Sequence, residues 1–111
     1  MAEIATGPPA APQLPRAVLL AMSEADIQRQ AVEYAVLRRW GYYHTHDSRR
    51  SVAGFPDVVF VRERVVFAEF KSERGRLPGE QREWGALLER AGAEYHVWRP
   101  RDRNKILQVL F

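Results

Sequence analysis

Two short apolar stretches near the middle of the chain decide its fold: Gly54-Phe55-Pro56-Asp57-Val58-Val59-Phe60-Val61 and Val65-Val66-Phe67-Ala68-Glu69-Phe70-Lys71. Their β-branched and aromatic residues predict two β-strands, and Arg62-Glu63-Arg64 between them predicts a tight antiparallel connection. Because side chains alternate across a strand, Glu69 and Lys71 are expected on one face of the second strand. Charged groups are costly to bury, so their presence in an apolar strand requires a physical explanation.

The elements on either side of this hairpin predict a small α/β domain. Three adjacent strands can pair as a meander, and a crossover through the second helix returns the last strand to the same sheet. The predicted order is α-β-β-β-α-β-α, a small mixed sheet flanked by helices. Besides the hairpin, the predicted elements are a helix from 24 to about 40, a strand over 42–46, a helix over 80–91, a strand over 94–98 and a closing helix over 102–111.

The beginning of the chain is predicted to be a disordered N-terminal arm over residues 1–22. Gly7-Pro8-Pro9-Ala10-Ala11-Pro12 cannot sustain a helix or a strand ladder. Order is expected from Ser23, a favourable helix N-cap followed by acids in the first turn. The folded domain is therefore predicted to span residues 23–111.

The composition excludes several classes of protein. The chain has 111 residues, of which 46% are hydrophobic, enough for one small core and too many for a disordered protein. No apolar run approaches the roughly 18 residues of a membrane span, and the run over residues 17–22 is too short for a signal peptide. The chain has no cysteine, which excludes disulfides and thiolate zinc sites. A cytoplasmic location is expected.

The positive charge predicts a polyanionic partner. The formal net charge is +3, and all but two of the 17 basic residues are arginine. The planar guanidinium group binds phosphate with two hydrogen bonds at once. A GC-rich genome would also raise the arginine content, so the count alone does not identify the partner.

The two carboxylates of the hairpin predict a metal site. Residues 57 and 69 are symmetric about Glu63, so Asp57 is expected opposite Glu69, with Cβ atoms ~4.5–5.5 Å apart. Two carboxylates that close repel each other unless a cation lies between them. Mg²⁺ commonly binds one or two protein carboxylates and completes its coordination with water and substrate phosphate. Lys71 on the same face could hold the attacking water or stabilise negative charge on phosphorus.

Each of these residues taken alone has a simpler structural interpretation. Asp57 could cap the turn at Gly54, and Glu69 with Lys71 could be an ion pair on a solvated edge strand. His44 and His46 share a strand face, but two histidines without a third ligand fall short of a zinc site. Trp84, at helical spacing with Leu87 and Leu88, is interpreted as a core residue rather than a platform for a base.

The motifs taken together resemble a known family. Gly-x-Pro-Asp followed by Glu-x-Lys resembles the PD-(D/E)XK nuclease superfamily, with its restriction-endonuclease-like core. The stretch from Ser23 to Asp102 is more closely similar to the VRR-NUC (virus-type replication-repair nuclease) domain. That resemblance rests on Gly54-Phe55-Pro56-Asp57, Glu69-Phe70-Lys71, the glutamine of Gln81-Arg82-Glu83-Trp84, and Trp98-Arg99-Pro100.

The resemblance implies a role for each matching residue. Asp57 and Glu69 would bind Mg²⁺ or Mn²⁺ together with the backbone carbonyl of Phe70, and Lys71 would be the catalytic lysine. Glu24 would correspond to the acid of the first helix, completing the metal site directly or through water. Gln81 would correspond to the glutamine of the second helix that reaches toward the active site.

The function implied is metal-dependent hydrolysis of DNA phosphodiester bonds in replication, repair or recombination. A structure-selective endonuclease for junctions or flaps, of phage or mobile-element origin, is the narrower form of this hypothesis. A basic, non-catalytic DNA-binding module and an RNA-directed nuclease are the alternatives.

DNA contacts are expected from Arg49, Arg50, Arg74, Arg76 and His44. The other expected partners are a second copy of the chain, because stand-alone members resemble dimeric junction resolvases, and a helicase or replication protein.

Overall fold

The computed structural model describes residues 7–45 and 52–111. Within those ranges, no helix combines the length and apolar character needed to cross a membrane. The helices and strands follow the predicted order, with one additional helix at the start. They are α1 (Arg16–Ala21), α2 (Glu24–Leu37), β1 (Gly41–His44), β2 (Val58–Val61), β3 (Val65–Phe70), α3 (Gly79–Arg90), β4 (Glu94–Trp98), a 3₁₀ turn (Pro100–Asp102) and α4 (Arg103–Val109).

The described strands form one mixed sheet in the order β1-β2-β3-β4, with β4 parallel to β3 and the other pairs antiparallel. The predicted meander and crossover are therefore confirmed. β3 lies between β2 and β4, and Glu69 and Lys71 are almost fully buried, 1% and 7% exposed. The interpretation of these two residues as an ion pair on a solvated edge is wrong, because β3 is an interior strand.

Different helices pack on the two faces of the sheet. The hydrophobic core lies between the sheet and the helices α2 and α4, and consists mainly of alternate residues of β2 and β3 and of Trp98 in β4, packed with Ile27, Ala31 and Ile106. On the other face, α3 packs on β4. Gly85 allows this contact, since a Cβ atom there would lie 2.5 Å from Cε1 of Tyr95. Residues 57, 67 and 69 belong to the α3 face.

Helix α2 begins as predicted but ends earlier. Ser23 and Asp26 form a capping box, each side chain bonded to the other's backbone N–H. At the other end Arg39 adopts a left-handed conformation with φ 66°. Its N–H donates to Val36 and that of Trp40 to Ala35, a Schellman motif that stops the helix before the predicted boundary at Trp40.

The sequence predicts a disordered arm over residues 1–22; residues 1–6 lie outside the described residues, and the structure differs from the prediction over the rest. Residues 16–21 form α1, whose Leu19 is only 7% exposed, and α1 contacts the 3₁₀ turn. Ahead of it, the backbone of Ala11 exchanges hydrogen bonds of 2.8 and 3.2 Å with the side chain of Asn104. These contacts join residues about 90 positions apart, so the local sequence around α1 could not reveal them.

Candidate active site

Asp57 and Glu69 face each other at the end of the β2–β3 ladder. The ladder pairs Val58 with Ala68, so its continuation opposes Asp57 to Glu69, which confirms the predicted register. The backbone N–H of Phe70 donates a hydrogen bond of 2.8 Å to Oδ2 of Asp57. The carboxylate of Asp57 is thereby held against β3 although the residue lies just outside β2.

Residues 54–57, which lead into β2, are held by contacts with Thr45 after β1 and with the start of α3. Thr45 donates from its N–H to the carbonyl of Asp57 at 2.9 Å and from its hydroxyl to the carbonyl of Pro56 at 3.0 Å. Gly54 has φ +90°, and a Cβ atom there would lie 2.5 Å from the backbone of Glu80 at the start of α3. Glycine is therefore needed in this motif both for its backbone conformation and for the close approach of α3.

The carboxyl group of Glu69 is in an unfavourable environment for a charge. Gln81 donates a hydrogen bond of 3.0 Å to its Oε1, whereas its Oε2 is buried without a partner among the described residues. Burial, followed by the close approach and the charge of Asp57, raises the pKa of Glu69 to about 9, and Lys71 offsets only part of this rise. At neutral pH Glu69 therefore retains its proton unless a cation replaces it.

Lys71 lies at the exit of β3 beside the acids. Its backbone N–H donates to the carbonyl of Trp98 at 3.0 Å, which continues the β3–β4 pairing by one residue. Its Nζ atom is 3.7 Å from Oε1 of Glu24, the first residue of α2, whose side chain is half exposed. The structure thus brings Glu24, Glu69 and Lys71 to the same end of the sheet.

The oxygen donors of this site suit a hard divalent cation such as Mg²⁺. Oε2 of Glu69 is an orphaned acceptor, and two opposed carboxylates provide the negative charge that such an ion requires. In the described part of the chain, no three His, Cys, Asp or Glu side chains converge into a ready-made metal site. Mg²⁺ commonly takes one or two protein carboxylates and completes its coordination with water. Glu24 lies 3.7 Å from Nζ of Lys71 instead of forming a triad with the two acids.

Arg99 belongs to the site, although no role was predicted for it from the sequence. Its Nη1 atom donates to the carbonyls of Ser72 and Gly75, both at 2.7 Å, and lies 3.4 Å from that of Glu73. These carbonyls belong to the loop that directly follows Lys71. The sequence contains one signal for this contact. Arg99 directly follows β4, and because β4 runs parallel to β3, Arg99 lies beside the end of β3.

The residues predicted to contact nucleic acid fall into three groups. Arg74 and Arg76 are exposed on the loop that Arg99 holds. His44 pairs with Val58 and therefore lies on the α2 face of the sheet, opposite to the face of Glu69. Arg49 and Arg50 lie outside the described residues.

The chain matches a known family of domains. A sequence model described as the VRR-NUC domain matches residues 13–102, most of the chain. No curated protein and no solved structure matches the chain.

Proposed function

Because the chain belongs to the VRR-NUC domain family, a family of nuclease domains, we propose that it is a metal-dependent nuclease with a PD-(D/E)XK core and its centre at Asp57, Glu69 and Lys71. The observation that carries this proposal is the buried Glu69, which faces Asp57 across the ladder with one oxygen unpartnered in the described structure. A purely structural role would oppose the buried carboxyl group of Glu69 to a second, half-buried carboxylate with no benefit to stability. Binding a cation gives this arrangement a function.

The residues proposed to hold Mg²⁺ or Mn²⁺ are Asp57, Glu69 and the backbone carbonyl of Phe70, with Glu24 acting through water. When bound, such an ion acts as a Lewis acid toward phosphate oxygen and lowers the pKa of bound water. Gln81 orients Glu69 by its hydrogen bond of 3.0 Å and leaves Oε2 of Glu69 available. The bond from Phe70 to Oδ2 of Asp57 leaves the other oxygen of Asp57 available in the same way.

Lys71 is proposed to act on the phosphate that reacts. Its ammonium group, held in a nearly buried position, can donate to a non-bridging oxygen as negative charge grows there. In the hydrolysis, water adds to phosphorus and one P–O bond breaks, leaving an alcohol and a phosphate monoester. Glu24, 3.7 Å from Nζ, keeps the lysine directed toward the acids.

The substrate proposed is DNA with a branched structure, such as a flap or a junction, cut during replication, repair or recombination. The exposed Arg74 and Arg76 follow Lys71 on the loop held by Arg99, where they can bind phosphates next to the one that is cut. A domain of this size contacts few base pairs, so low sequence specificity is expected. A homodimer would place two such centres on opposite strands, and a helicase or replication protein would be a natural partner.

A cleavage assay tests this function directly. Purified protein is incubated with labelled single-strand, duplex, flap and four-way-junction DNA, and with the matching RNA strand, in Mg²⁺, in Mn²⁺ and in EDTA. Lys71→Ala and Asp57→Asn are expected to lower turnover at least about 100-fold. Lys105→Ala, which removes the only other lysine from an exposed position, is the matched control and is expected to cut like the wild type.

The outcomes separate the alternatives. Cleavage that requires the metal and is lost in both variants supports the proposal, and the best substrate shows the structural preference. Preference for the RNA strand would identify an RNA-directed nuclease. DNA binding that persists in EDTA and in Lys71→Ala, without cleavage of any substrate, would identify a binding module and refute the proposed function.

A further inference from the structure

An open hollow with aromatic walls lies on the α3 face of the sheet, beside the candidate active site. It has a volume of about 280 Å³ and is lined by Tyr43, Thr45, Val52, Phe55 and Trp84. Phe55 and Trp84 meet edge to face at 5.2 Å between ring centroids, and both are only half-buried. Tyr43 on β1 is 67% exposed. Trp84 is therefore part of a surface feature rather than of the core that the sequence analysis predicted.

The sheet register places this hollow next to the two acids. Tyr43 pairs with Val59, and Val59 with Phe67, so these residues form one row across the α3 face. The next row along the strands contains Asp57 and Glu69, which corresponds to a spacing of about 7 Å. The hollow therefore begins one row from the acids.

Two segments of the chain connect the hollow with the acids. Thr45 lines the hollow and holds the backbone of Asp57 by its hydrogen bond of 2.9 Å. On α3, Trp84 follows Gln81 by three residues, about one helical turn, and Gln81 binds Glu69. A ligand group in the hollow would thus lie beside a phosphate held at the acids.

We propose that this hollow receives an unpaired nucleobase of the substrate strand, next to the phosphate that is cut. Aromatic side chains bind bases of any sequence through their π-faces, and the hollow has aromatic residues on separate elements. A base stacked within a duplex cannot enter it, whereas single strands, flaps and junction branch points present unstacked bases. The inference rests on the proposed function and deepens it, because it identifies unpaired bases as the feature by which substrates are selected.

A binding experiment in EDTA tests the hollow without requiring cleavage. A single-stranded oligonucleotide containing the fluorescent base 2-aminopurine is titrated with wild-type protein and with three variants. Tyr43→Ala is expected to weaken binding about 5- to 100-fold, and Tyr43→Phe, which retains the aromatic face, less than about 2-fold. Tyr42→Ala is the matched control, because Tyr42 is 50% exposed on the opposite face of the same strand.

A double-mutant cycle identifies the base as the ligand. One abasic site is moved base by base along the oligonucleotide, and each strand is titrated with wild type and with Tyr43→Ala. When the abasic site is at one particular position, the wild type is expected to bind more weakly than it binds the intact strand. The factor should be about the one by which Tyr43→Ala weakens binding to the intact strand. Tyr43→Ala should be insensitive to the abasic site at that position, because both changes remove the same contact. Circular dichroism checks that the variants are folded.

Two of the remaining outcomes overturn the inference, and a third overturns the proposed function alone. If Tyr43→Ala binds and cuts like the wild type, the hollow has no role in substrate recognition, although the protein remains a nuclease. If Tyr43→Ala changes the sedimentation of the protein from dimer to monomer at unchanged affinity for the oligonucleotide, the hollow is a contact between two copies. If 2-aminopurine responds to the hollow but no substrate is cut, the proposed function fails and base binding stands.

Discussion

Replacing the buried Glu69 by glutamine is expected to stabilise the metal-free protein at neutral pH. In the folded state the pKa of Glu69 is raised from 4.5 to about 9, first by burial and then by Asp57. At pH 7 the folded protein therefore keeps a proton that the unfolded chain has released, and this proton uptake lowers stability. Since pH 7 lies about 2.5 pH units above 4.5, the loss is roughly 3 kcal/mol at 1.36 kcal/mol per unit. The neutral amide of the variant would carry no such penalty and could still accept the hydrogen bond from Gln81.

Because the pKa of Glu69 is raised on folding, the stability difference between wild type and Glu69→Gln should grow as the pH rises. Below pH 4.5 the carboxyl group is protonated in both states, so wild type and Glu69→Gln should differ least there. As pH rises from 4.5 toward 9, the wild type should lose about 1.4 kcal/mol per pH unit relative to the variant. The free energy of unfolding is measured by urea denaturation in EDTA between pH 4 and pH 8, followed by the fluorescence of the three tryptophans.

A control and a metal titration complete this test. Glu83→Gln, which removes an exposed acid of α3, should change the unfolding free energy by less than about 0.5 kcal/mol at any pH. Adding Mn²⁺ at pH 7 should stabilise the wild type and leave Glu69→Gln nearly unchanged, because the cation replaces the proton. A difference between wild type and Glu69→Gln that does not vary with pH, or a wild type that is more stable than the variant in EDTA at pH 7, would refute the reasoning.

Two further predictions concern the segments that support the acids and the lysine. Arg99→Lys should lower kcat/KM for DNA about 10-fold without unfolding the protein, because the lysine side chain is one bond shorter and its Nζ atom falls short of the three carbonyls that Nη1 of Arg99 contacts. Activity equal to that of Arg101→Lys, an exposed neighbour, would contradict a positioning role. Gly54→Ala should destabilise the protein by at least about 2 kcal/mol, because of its positive φ and the backbone of Glu80, as judged by urea denaturation. Gly79→Ala, where an added Cβ meets nothing within 4 Å, should differ from wild type by less than about 0.5 kcal/mol, and equal effects of the two changes would refute this explanation.

The hairpin and the opposition of its two acids could be predicted because they depend on local pattern alone. The alternation of apolar residues defines β2 and β3, and a three-residue connection determines which residues face each other. The crossover to β4 followed from the rule that a helix returns the chain to the same sheet. The proximity of Gln81 to Glu69 could be inferred only from the family resemblance, since no periodicity relates a helix to a strand 12 residues away.

The features that the sequence did not reveal depend on contacts between distant segments. Helix α1 is stabilised where it contacts the 3₁₀ turn, and Arg39 accepts a left-handed conformation although it is not glycine. The loop after Lys71 is held by Arg99, 24 to 27 residues further along the chain. The hollow beside Tyr43 exists because α3 packs on β4 and leaves β1 uncovered, which no local pattern of α3 or β1 indicates.

The position of β4 has a consequence during biosynthesis. The hairpin that carries Asp57 and Glu69 contains only local contacts, so a chain synthesised as far as residue 93 already includes the acids and Lys71. That chain has no Trp98 to accept the backbone N–H of Lys71 and no Arg99 to hold the following loop. Parallel pairing across a crossover also forms more slowly than a hairpin. A nascent chain is therefore unable to assemble this centre until β4 has left the ribosome and docked beside β3.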